Sequence, residues 1–197
     1  MSLNYDFYQK DAVSAAKALL GKIIVREIDD EKIIVKIVDV EAYMGAEDKA
    51  SHAYNNKKTK RTKTMFEKGG LAYIYLIYGI YHCFNIVTAA KNDPQAVLIR
   101  GVEPVNSLEL IKENRDIKSS NIEDLTNGPG KLSEALEIDK SLNGCDLVKS
   151  NKLYLLDSED NNFEIVAAPR VNIDYAEEYK DKKWRFYIRG NKFISKN

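Results

Sequence analysis

Cysteine is scarce in this chain, with only Cys83 and Cys145 among 197 residues. They form neither a close pair nor a metal-ligand spacing, which excludes a disulfide framework and a cysteine-built metal site and leaves both thiols as packing residues. Histidine is as sparse, with His52 and His82 alone. Neither a His-x-x-x-His pair nor His-x-Glu with Pro-Cys-x-x-Cys occurs, so no metal is expected. Long apolar runs are missing too. None approaches the ~20 residues that cross a bilayer, and the opening MSLNYDFYQKD has neither a basic start nor an apolar signal core. The expectation is an intracellular chain with no membrane partner. Net charge is absent, since thirty Lys and Arg balance thirty Asp and Glu, so any contact with a polyanion must come from a local patch. Repeats, low-complexity tracts and shifts in composition are missing as well, and residues 1–197 are expected to form one domain.

What is present is a set of alternating apolar segments. Residues 6–20 carry Phe7, Ala12, Ala15, Ala16, Leu19 and Leu20 at helical spacing, with Gly21 as a stop. Residues 22–27 and 32–43, rich in Ile and Val about Asp29-Asp30-Glu31, predict a β-hairpin. Residues 45–68 lose all periodicity and predict a long polar, basic loop. Further strands are expected over 71–77, 80–88 and 96–102, near 152–156 and 163–167, and over 185–189. Helices are expected after Pro104, after Gly128 with Pro129 at the start, and around 174–179. The fold class is α+β, with strands dominant in an antiparallel sheet built from hairpins.

Several residues could carry chemistry. Glu41 ends an apolar strand in VEAYMG, where a cleft-facing carboxylate can take a proton from water; a surface ion pair is the common role of such a residue. Glu47 and Asp48 are the next carboxylates along the loop. His52 reads as a loop or capping histidine on its spacing. Tyr73, Tyr75, Tyr78 and Tyr81 crowd one hairpin. Alternation puts Tyr73, Tyr75 and Ile77 on one face and leaves Tyr78 beside Gly79 at the tip. Tyr73, Tyr75 and Tyr81 could equally be core, but a ring at the tip has little protein to pack against. Lys57, Lys58, Lys60, Arg61 and Lys63 form a basic run that suits either a solvated loop or phosphate contacts. Together with Arg100 at another strand end, these residues supply what a base-flipping hydrolase needs: phosphate attraction, a wedge, stacking rings and water activation.

In these same residues the chain resembles the alkyladenine (3-methyladenine) DNA glycosylase family. The matching motifs are EAYMG at 41–45, Glu47-Asp48, Ala50-Ser51-His52, Met65-Phe66, YIYLIYGIYHCFN at 73–85, VLIRGVEP at 97–104, NGPGKL at 127–132, APRV at 168–171 and RFYIRG at 185–190. The resemblance implies that Glu41 is the general base and that Arg100, with the Val171 carbonyl, holds the attacking water. It implies a base pocket with Tyr43 and His52 on one wall, Tyr75 opposite and Asn85 on the floor excluding guanine. It gives Tyr78 as the intercalating residue, and Lys57, Lys58, Lys60 and Arg61 fall in the loop expected to meet phosphates. It also implies a curved antiparallel sheet with surrounding helices and a protruding hairpin, no cofactor, a monomer, and double-stranded DNA with alkylated bases as partner. Such a protein would work in the cytoplasm or at the nucleoid of a bacterium, or in a eukaryotic nucleus. Ala46 and Lys49 depart from the family pattern in the loop. Two other readings of the same residues are a non-catalytic nucleic-acid-binding module and a hydrolase of free nucleosides.

Overall fold

A computed structural model describes residues 1–117, 121–158 and 162–196. Its centre is an eight-stranded antiparallel sheet. The strands are β1 (Ile23–Ile28), β2 (Glu31–Tyr43), β3 (Ala72–Ile77), β4 (Tyr81–Thr88), β5 (Gln95–Pro104), β6 (Leu153–Leu156), β7 (Ile165–Ala168) and β8 (Arg185–Ile188). They lie in the order β3-β4-β5-β2-β1-β6, with β8 joined to β2 and β7 to β8. The long strand β2 is shared: β1 pairs with residues 31–36 and β8 with 39–41, while β5 runs along the other edge.

A double irregularity in the β2–β5 ladder decides which side chains face the core. Ile37 pairs with Val102 and Asp39 with Gly101, an extra residue on β2; Val40 then pairs with Ile99, an extra residue on β5. Each bulge inverts the alternation of its strand. In β2 the core-facing residues are Ile33, Val35 and Ile37 before the bulge and Val38, Val40 and Ala42 after it; in β5 they are Val97, Ile99 and then Val102. Asp39, Glu41 and Tyr43 are thereby turned to the other face, together with Leu98 and Arg100. Without the bulge in β2, continued alternation from Ile37 would bury Asp39 and Glu41 in the apolar core, at a cost that their present partners remove.

The core face is covered by α2 (Ala12–Leu19), through Ala12, Ala15, Ala16 and Leu19, and by α4 (Pro129–Ala135), through Leu132 and Ala135. Phe84 and Ile86 of β4 are fully buried there, each contributing about 1.5–3 kcal/mol relative to exposure. The helix expected over 6–20 is two, α1 (Tyr5–Tyr8) and α2. Asp11 causes the break, because its side chain accepts the Ser14 N–H at 3.0 Å as an N-cap, which requires a non-helical backbone at Asp11. The helix α3 (Leu108–Arg115) follows Pro104 as expected. The expected helix near 174–179 is an irregular 3-10 stretch, Asp174–Asp181, broken at Glu177 with φ 49°.

Candidate active site

The bulged face of β2 places Glu41 within the strand, not at its end, and entirely out of solvent. Its carboxylate is held by three donors from three segments. The Val171 amide donates to Oε1 at 2.7 Å, Arg100 Nη1 lies 3.1 Å from the same oxygen, and the Tyr43 hydroxyl donates to Oε2 at 2.9 Å. Burial, and then the charge of Glu41, hold the Tyr43 phenol well above its ordinary range, so it remains a donor. Burial pulls the Arg100 guanidinium down, but the carboxylates of Glu41 and Asp39 outweigh it and keep the group charged.

The three partners of this carboxylate line a cavity of about 320 Å³, which Glu41 itself does not line and whose walls also include His52, Tyr75 and Asn85. All six are residues that the resemblance implies for the site, and they come from β2, β3, β4, β5 and two loops. The alternation of β3 delivers Tyr73, Tyr75 and Ile77 to the cavity, as expected. Asn85 is buried, and its amide donates to the carbonyls of Tyr73 at 3.0 Å and Cys83 at 3.2 Å, which fixes its orientation. Burial pushes the Cys83 thiol up, keeping it protonated.

His52 does not face Tyr75 across a gap. The two rings touch edge to face at 4.6 Å between centroids, so a planar base can lie between them only after they part. The imidazole is held by its hydrogen bonds. Arg61 Nη2 lies 3.3 Å from Nε2, and a guanidinium can only donate, so the ring proton sits on Nδ1 and is donated to the Tyr73 hydroxyl at 3.0 Å. Burial and the Arg61 charge push His52 down to about 4, and the ring is neutral at pH 7.

Arg61 therefore stands apart from the basic run in which sequence places it. It is exposed like Lys57, Lys58 and Lys60, but its guanidinium carbon lies 4.7 Å from the Tyr75 ring centre in the cavity wall, whereas Lys58 lies over Phe66 at 5.2 Å. Tyr78 is 77% exposed. Both Tyr78 and Gly79 have positive φ, 54° and 75°, and the Ile80 N–H donates to the Ile77 carbonyl at 3.2 Å, closing a tight turn of the hairpin type. A tyrosine in the left-handed region is strained, and such strain concentrates at functional tips.

Several residues around the site have no role in the sequence reading, and Asp48, one of its further candidate carboxylates, takes a different one. Asp48 and Arg170 form a buried bidentate pair, at 2.5 and 2.8 Å, that ties the loop after β2 to the segment before Val171. Asp39 and Ser195 lie behind Arg100. Tyr175 is 68% exposed beside the cavity, its hydroxyl 3.4 Å from the Ala50 carbonyl. Asp39 and Asp48 carried a signal, since each is a carboxylate within or next to an apolar strand; Ser195 carried none. Among the described residues no group of three or more His, Cys, Asp or Glu side chains is placed to hold a metal ion, and no helix is long and apolar enough to cross a membrane.

Residues 6–192 match a family model described as Methylpurine-DNA glycosylase (MPG). A protein of Natranaerobius thermophilus, named "Putative 3-methyladenine DNA glycosylase", is 56% identical over 198 residues, covering 100% of each chain. Proteins of the same name from Clostridium novyi and Clostridium botulinum strain Alaska E43 are 51% and 50% identical, covering 98% and 100% of each chain respectively. A match of this extent over the motifs that build the cavity shows that the chain belongs to the methylpurine-DNA glycosylase family.

Proposed function

We propose that this DNA glycosylase of base-excision repair removes alkylated purines of the 3-methyladenine type from duplex DNA by hydrolysing the N-glycosidic bond, leaving an abasic site. The observation that carries the reading is the buried Glu41 carboxylate, held by Tyr43, Arg100 and Val171, three residues that themselves line the aromatic cavity. Water attacks C1′, the bond to the base breaks with its electron pair leaving on the purine, and Glu41 accepts the proton of the water. Arg100 and the backbone at Val171, including its carbonyl, hold that water. The charge of Glu41 stands near the cationic sugar as it develops. No lysine lines the cavity among the described residues, which favours water over an amine as the nucleophile.

Preference for a cationic base follows from the walls. A planar, delocalised cation already stacks on Tyr75 in the form of Arg61, and an alkylated purine offers the same charge and shape to the Tyr43 and Tyr75 rings. A neutral His52 adds no opposing charge. Asn85 occupies the floor, where it would clash with the exocyclic amine of guanine. Tyr78 fills the gap left in the base stack, and Lys57, Lys58, Lys60 and, once displaced from Tyr75, Arg61 contact phosphates. The protein acts as a monomer on the DNA of a bacterial cell.

The test is incubation with duplexes bearing single defined lesions, followed by alkaline cleavage of abasic sites. Strand breaks at 3-methyladenine that depend on both the protein and alkali are expected. Breaks without alkali, or none at any alkylated purine, would contradict the proposal.

A further inference from the structure

Arg100 faces two fully buried carboxylates. Its Nη1 lies 3.1 Å from Glu41 Oε1, and its Nε lies 4.0 Å from Asp39 Oδ2. Electrostatics alone would let the guanidinium settle on either. Asp39 is already engaged by Arg185, whose Nε and Nη2 donate to its two oxygens at 3.0 and 2.9 Å. The remaining space is filled by Ser195, whose Oγ is 2.9 Å from Arg100 Nε and 2.6 Å from Asp39 Oδ2. A guanidinium cannot accept and a carboxylate cannot donate, so the hydroxyl accepts from Arg100 and donates to Asp39. It cannot reverse.

We propose that Ser195 is a positioning residue for the glycosylase reaction, its hydroxyl standing between Arg100 and Asp39 and so keeping the guanidinium on Glu41. This inference rests on the reading of Glu41 and Arg100 as the hydrolytic pair. Without the hydroxyl, Arg100 Nε faces Asp39 with nothing between them, and the guanidinium shifts toward Asp39 and away from Glu41. The water that Arg100 and Glu41 hold together is then misplaced, and displacements on the scale of 1 Å can slow a reaction about 10²-fold.

The segment that carries Ser195 is built to hold this position. The Ser195 amide donates to Asp39 Oδ2 at 2.9 Å, and Arg185 Nη2 donates to the Lys196 carbonyl at 2.6 Å. Asn191 reaches Glu103 Oε2 at 2.8 Å and accepts the Phe193 amide at 2.9 Å. Gly101, the bulge partner of Asp39, lets the segment lie directly on β5. A Cβ there would meet the Phe193 carbonyl oxygen at 2.4 Å, a clash that backbone cannot yield to cheaply.

Ser195→Ala deletes the spacer and leaves the amide bond to Asp39 in place. Single-turnover excision of 3-methyladenine should fall about ten- to hundredfold, while lesion-duplex Kd and the thermal midpoint stay close to the parent. Ser195→Thr restores a hydroxyl and should recover the rate to within a few-fold. Gly101→Ala, which removes no charged or polar side chain, should slow excision by displacing the segment. Glu41→Gln is measured beside them. If Ser195→Ala excises at the parental rate while Glu41→Gln is inactive, the inference falls and the hydrolytic pair stands. A slow Ser195→Ala whose Kd or thermal midpoint worsens in step, or that Thr does not rescue, also overturns it, because the residue is then merely structural. Parental activity in Glu41→Gln would sink the pair itself, and this inference with it.

Discussion

Two buried arginine–carboxylate pairs flank Tyr43, and they differ in how completely the carboxylate is used. Asp48 receives Arg170 through both oxygens, the Met44 amide at 3.1 Å and the Ala50 amide at 3.0 Å, which fills all of the roughly four lone-pair sites of a carboxylate. Arg170 also donates to the Ala42 carbonyl at 3.0 Å and lies 4.7 Å from the Tyr43 ring and 5.0 Å from that of Trp184. Among the described residues Glu41 receives Val171, Arg100 and Tyr43, one donor fewer than Asp48. Saturation makes Asp48 an anchor of the loop that carries His52. Incomplete use is what the proposed role of Glu41 as base requires. Both are inaccessible to solvent, so burial does not distinguish them; the number of donors does.

The comparison breaks most visibly in stability. Asp48→Ala strands Arg170, which has no second carboxylate partner among the described residues, and loss of one member of a buried pair costs about 3–5 kcal/mol. Urea unfolding should show a loss of that size, and a loss below about 1 kcal/mol would show the pair to be no anchor.

Acid provides a second probe of the same loop. His52 has its folded value pushed from 6.5 down to about 4, so the unfolded chain takes up a proton first. Stability is therefore retained above about 6.5 and lost as pH falls from there toward 4, by up to about 3 kcal/mol. His52→Gln should remove that part of the decline, and an unchanged pH–stability curve in this variant would contradict the arrangement of His52, Arg61 and Tyr73.

The smallest effect on the folded protein comes from the exposed lysines. Replacing Lys57, Lys58 and Lys60 with Ala should leave unfolding unchanged and lower the slope of log affinity against log salt by about one unit for each phosphate no longer neutralised. Adding Arg61→Ala should also alter lesion preference, because that side chain lies on Tyr75. An unchanged slope would assign the lysines to solvent.

Legibility in the sequence followed range. The hairpins and the aromatic face of β3 were readable because alternation is local, and Pro129 marked its helix because the cap is local too. The bulge that turns Asp39 and Glu41 to one face gave no local sign, although Gly101 is its partner. Glu41 stands out in the sequence by its place late in an apolar strand before Tyr43 and Gly45, but the completeness of its burial is not legible there, because the segment bearing Val171 folds over it from 130 residues away. Asp48, a further candidate carboxylate beside Glu47, is taken up by Arg170, and that pairing spans 122 residues. Arg61 looked like its basic neighbours. Only its contacts with His52 and Tyr75 separate it from them.

The most direct test is single-turnover excision by Glu41→Gln on a duplex with one 3-methyladenine, with binding and unfolding measured on the same protein. Arg100 keeps Ser195 and Asp39 as partners, so the variant should fold and still bind the lesion. The excision rate should fall at least ~10²–10⁴-fold, the range typical of a general base, and further if the charge also stabilises the sugar cation. A folded, binding-competent Glu41→Gln that excises at near the parental rate would contradict the claim that the incompletely used carboxylate is the base.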